Sequence, residues 1–219
     1  MPLHVPQAPA PALRSVLAAL RSPTAVQGAH LPAVARAAQG VLSPELPLAV
    51  HELEGSPGHA PAGPPVPPGT ASAHRAPAAP RTRLTGWRFL LREADAPPGS
   101  PAVGSAEAML TADGWAFSDF REGPYVTSTE RALHQAETLS GVHQPRLLCV
   151  PGLYMLTLWL HQDVAADPAE GSPVPGDLLI PLAPAPPGIA AHRPHELDAL
   201  LPLLTRRRVP SSAALTTPV

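Results

Sequence analysis

The chain has no lysine and no asparagine, two isoleucines (Ile180 and Ile189), one cysteine, and only three Trp, two Tyr and three Phe in 219 residues. Each shortage excludes something. Without lysine there is no Schiff-base lysine, no Walker-type phosphate-binding lysine and no Ser-Lys nucleophile pair. A single cysteine cannot close an internal disulfide, so a disulfide framework is ruled out. The formal net charge of −2 provides no general attraction to nucleic acid. All fifteen basic residues are arginine, the signature of a GC-rich, bacterial type of genome. The start lacks a charged n-region followed by an apolar h-region, and no apolar run is long enough to span a bilayer as a helix. These features predict a cytoplasmic protein without a transmembrane segment.

Aromatic residues are absent before Trp87, and proline (33) and glycine (16) are abundant. A segment with so few large side chains is expected to bury too little apolar area to offset the entropy of ordering it. Residues 1–82 are therefore predicted to be a low-complexity, largely disordered N-terminal arm. One short amphipathic helix is expected near 12–21, where Leu13, Val16, Leu17 and Leu20 recur at helical spacing between Pro11 and Pro23. Such a helix is too short to stand alone, and is expected to dock in a groove or make weak contact with a membrane surface. A weaker helical patch is expected over 33–39. Gly55 to Pro80 reads as a polyproline-like spacer.

Residues 83–209 are predicted to form a compact α+β domain, a small, mostly antiparallel sheet covered by two helices, followed by a disordered tail over 210–219. Its centre is PRLLCVPGLYMLTLWLH, from Pro145 to His161, read as two strands turned at Pro151-Gly152. In the second strand, read over Leu153–Leu160, Leu153, Met155, Thr157 and Trp159 alternate with Tyr154, Leu156, Leu158 and Leu160, so both faces are apolar and need cover from a layer on each side or from a partner protein. Before them come a strand over 84–92 and a hairpin turning at Asp113-Gly114. A helix over 127–139 is announced by Thr127 and Glu130 at capping-box spacing. A strand over 177–182 is placed at an edge by Pro181. A last helix is expected around Leu197, Leu200, Leu201 and Leu204, ending in Arg206 to Arg208.

No motif for catalysis, cofactor or metal emerges, and none of these is expected. Cys149 lies in an apolar run, where a buried structural thiol is the usual outcome. A nucleophilic thiol would need a base such as His134, His143 or His161 beside it. Asp113, Asp119 and Glu122 would run acid–base chemistry only if the fold brought them together. His134 and Glu137, with His161 and Asp163, match no metal spacing. The segment SDFREGPY, Ser118 to Tyr125, combines aromatics with charge in the manner of an interface loop.

The sequence thus points to a non-catalytic interaction or assembly module that binds another protein or forms a homo-oligomer, without specific nucleic-acid binding. Its candidate contact residues are Leu13, Leu17, Leu20, Phe120, Arg121, Tyr125 and Trp159. The alternative is a small enzyme or ligand-binding domain that uses Cys149 or the Asp119/Glu122 region.

Overall fold

The computed structural model describes residues 3–54, 81–97 and 99–200. The spacer over 55–80, Leu201, Leu204, Arg206 to Arg208 and the tail over 210–219 lie outside the described residues.

Three helices open the chain: α1 (Ala10–Leu20), α2 (Pro23–Gly28) and α3 (Pro32–Ala37). Each has proline in its first turn, where the missing N–H costs no hydrogen bond. The strands β1 (Leu42–Leu53), β2 (Thr82–Glu93), β3 (Gly104–Thr111) and β4 (Gly114–Arg121) follow. Then come α4 (Pro124–Ala136), β5 (Gln144–Val150), a 3-10 turn over Pro151–Leu153, β6 (Met155–His161), β7 (Leu178–Pro181) and β8 (His195–Glu196). The strands form one eight-stranded sheet in the order β4-β3-β2-β1-β5-β6-β7-β8. Neighbours are antiparallel except β1 and β5, which run parallel at its centre. The return from β4 to a strand parallel to β1 passes through α4, as a parallel neighbour demands a crossover.

Alternation along β1 sets the two layers. Leu48 and Val50 face α4, where they join Leu90, Leu147, Leu158, Leu160 and Ile180 against Val126, Ala132, Leu133 and Ala136 of that helix. Ala49 faces the other way, toward Ala12, Val16, Ala19, Val26 and Val34 of α1–α3, with Trp87, Phe89, Leu91 and Phe120 filling the layer. Under the other half of that face, Leu148, Met155, Trp159 and Leu179 pack with Ile189, Leu197 and Leu200. At roughly 1.5–3 kcal/mol for each fully buried large apolar side chain, these clusters dominate stability.

Several expectations are overturned. The N-terminal region is not a disordered arm: its helices cover one sheet face, and β1, read as part of the arm, is the central strand. The sheet is therefore neither small nor capped by two helices; it has eight strands and is mixed. The boundary placed after residue 82 falls inside β2, which is paired along its length to β1. The aromatics that the N-terminal helices lack come from β2 and β4, whose Trp87, Phe89 and Phe120 receive small helix residues. Strand β7 is not an edge, since β8 pairs beyond it. Every residue of β6 is buried, and both its apolar faces are covered by this chain itself. The case for a partner there disappears.

Candidate interaction surface and the chemistry around it

The long open edge of the sheet is β4. It pairs with β3 on one side and, among the described residues, with no strand on the other. The hairpin turns through Ala112 and Asp113, and Gly114, at φ +110°, opens β4 in a conformation that suits glycine. Leu110 pairs with Trp115 and Met109 with Ala116, so the hairpin tip carries apolar side chains on both faces. Leu110 is 48% exposed and Met109 43%, while Trp115 and Phe117 are half-buried against the helical layer. Further along β4, a register shift opposite Glu107/Ala108 precedes Asp119 and Arg121. Arg121 Nε lies 3.0 Å from Asp119 Oδ2. Burial opposes the charge on this guanidinium, but Glu107 and Asp119 outweigh it and raise its pKa. Next to it, Arg88 of β2 and Glu107 of β3 form a nearly buried ion pair at 2.6 Å.

The sequence-predicted contact residues fare differently. Leu13 and Leu20 pack partly buried against the chain's own sheet, and Leu17 is half-buried on the same helix. The docking groove for α1 is thus intramolecular. Phe120 is a core residue. The Tyr125 hydroxyl lies 2.9 and 3.0 Å from the carbonyl oxygens of Tyr154 and Pro184 and donates to that pair, pinning two loops. Trp159 is fully buried, its Nε1 donating to Asp177 Oδ2 at 2.7 Å. Only Arg121, about half exposed, remains at the surface beside the hairpin. Met109 and Leu110 were not singled out in the sequence; two apolar residues in succession next to a turn were the available signal.

The catalytic candidates do not assemble. Burial is the main influence that raises the Cys149 thiol, and the charges acting on it are Glu52, Arg88, Glu107 and Arg121, with no histidine among them. His134 Nδ1 is bonded to the carbonyl of Glu130, and His161 Nδ1 to Asp177. Asp119 pairs with Arg121 on β4, whereas Glu122 accepts the backbone N–H of Val34 at 2.7 Å and so anchors α3. Glu130 does not cap its helix; its Oε1 accepts from Arg92 Nη2 and from the N–H of Ala102.

One unanticipated pair is Ser128 Oγ and His192 Nε2, 3.1 Å apart. Ser128 is buried and already accepts the N–H of Ala183, and among the described residues His192 Nδ1 has no partner and no third group orients the ring. The pair ties the loop after β7 to α4 rather than forming an activated nucleophile. Among the described residues no group of three or more His, Cys, Asp or Glu is arranged to hold a metal ion. Nor is any helix among them long and apolar enough to cross a membrane. No protein-family model, no curated protein and no solved structure matches this chain.

Proposed function

We propose that this chain is a non-catalytic protein-interaction module that presents the β3–β4 hairpin and the open edge of β4 to another polypeptide. The observation that carries this reading is the edge itself. Strand β4 is eight residues long, paired on one side among the described residues, and sits beside two apolar side chains that are nearly half exposed. An extended segment added to that edge satisfies the outward backbone groups of β4, and apolar side chains of the same partner that reach over the hairpin tip meet Met109 and Leu110 on its two faces. Asp119 and Arg121 neutralise each other, so apolar contact and main-chain pairing, rather than net charge, select the partner. A different protein or a second copy of this chain fits that description.

The test is co-purification of the full-length chain from its native cells, compared with the double variant Met109→Glu and Leu110→Glu. The variant loses its associated protein or its self-association while melting at the same temperature as the parent. Retention of the complex by the well-folded variant, or a parent protein that is monomeric and partnerless, contradicts the reading.

A further inference from the structure

The segment between β6 and β7 crosses the sheet face opposite α4 and is held there by its carbonyl oxygens. Gln144 Nε2 donates to Val164 and Ala166 at 3.3 and 2.9 Å. Arg146 Nη2 and Nη1 donate to Asp167 and Glu170 at 3.0 and 2.6 Å. His51 Nε2 donates to Pro168 at 2.9 Å, and Thr82 Oγ1 to Gly171 at 2.8 Å. Four side chains from β1, β2 and β5 thus supply the donors. Both ends of the segment are tied to Asp177, whose carboxylate accepts the N–H groups of Gln162 and Val174. Beneath it, the Arg146 guanidinium stacks 4.8 Å from the Trp159 ring.

His51 is fully buried at this contact, its ring edge-on to Trp159 at 5.3 Å. The groups that face it are Arg146 from β5, His161 from β6, Thr82 from β2 and the Pro168 carbonyl from the segment above. The nearby acids act on Arg146: Asp163 and Asp167 in the segment, and Asp177 at its base. A proton on His51 therefore adds a second buried cation to a site that already holds one.

We propose that residues 163–171 form an acid-released strap, which protonation of His51 lifts from the sheet to uncover Arg146 on Trp159. Burial holds the His51 pKa at about 4 while the strap is down, with Arg146 and His161 pressing the same way against the bond to Pro168. With the strap lifted and the ring exposed to water, its pKa rises toward the ordinary 6.5, which is the upper limit because Arg146 and His161 still lie beside it. The closed form thus binds the proton more weakly, so falling pH favours the open form. The gap sets a ceiling of roughly 300-fold on the rise in open population, of which roughly 100-fold is reached between about pH 7 and about pH 4.

Hydroxyl-radical footprinting of the full chain, read residue by residue by mass spectrometry, tests this at Trp159, because the bonded amides of 163–171 have their partners within the strap itself. Labelling of Trp159 rises by up to roughly 100-fold between about pH 7 and about pH 4, in step with the open population, while amide exchange shows β5 still protected. His51→Gln, which keeps a donor for Pro168 but takes no proton, removes that rise. The strap is overturned as a latch if Trp159 labelling is independent of pH, if His51→Gln follows the parent, or if β5 opens together with it.

Discussion

Arg88 Nη2 lies 2.6 Å from Glu107 Oε2, across neighbouring strands and almost out of contact with water. Arg88 Nε bonds the same oxygen at 3.0 Å, so both donors converge on one atom. Removing one member strands a desolvated charge. Glu107→Ala is expected to cost about 3 kcal/mol, whereas Arg88→Met combined with Glu107→Leu costs little or nothing. Urea unfolding of the two variants separates these outcomes; equal losses would show that the pair itself, rather than the stranded charge, dominates.

Asp177 is the other concentrated polar centre. It is fully buried and accepts from Trp159 Nε1, His161 Nδ1 and the N–H groups of Gln162 and Val174. Asp177→Ala leaves these donors without an acceptor, at an expected cost of about 3 kcal/mol or more. Asp177→Asn keeps the size of the side chain but brings an NH₂ group against donors, and should recover less than half of that loss. Thermal unfolding of the three proteins gives the comparison.

Cys149 is expected to be a slow thiol. Burial raises its pKa, which lowers the thiolate fraction near neutrality. Labelling with a disulfide reagent near neutral pH should run slower than for an unperturbed thiol, with the rate climbing as pH rises. Labelling at or above the rate of a free thiol would restore the nucleophile reading that the arrangement around Cys149 disfavours.

Much of the second half of the chain could be read from local pattern. Alternation in Trp87, Phe89 and Leu91 marks β2, and Asp113-Gly114 marks the hairpin, because side-chain period and turn chemistry are local properties. The opposed rows Met155, Thr157, Trp159 and Leu156, Leu158, Leu160 do lie on opposite sheet faces, but Leu153 and Tyr154, read as the start of that strand, belong instead to the 3-10 turn and its left-handed exit. The first half was misread for a physical reason. Ala12, Val16, Ala19 and Val34 are small because the residues they meet, Trp87 and Phe89, are large, and that complementarity spans more than fifty positions. Strand β1 carries Pro44 and Pro47, so its own sequence argues against a central strand. Both prolines fall before the stretch Ala49–Glu52 that pairs with β5, and a register shift between Glu45 and Leu48 accommodates Pro47, so β1 is flanked on both sides only beyond them. The candidate site was obscured in a similar way. The aromatic-rich segment from Ser118 to Tyr125 spends Phe120 on the core and Tyr125 on loop contacts, while the preceding hairpin tip exposes Met109 and Leu110.

The most direct measurement of the role of that edge is photo-cross-linking from position 110 in the full-length chain, in its native cells, with exposed position 138, in the turn after α4, as the control. Position 110 should yield one adduct of discrete mass, with the second linked residue in an extended segment of either another protein or a second copy, and position 138 should yield none. Unmodified monomer at position 110, or the same adducts from both positions, would contradict the assignment of the β3–β4 hairpin as the contact surface.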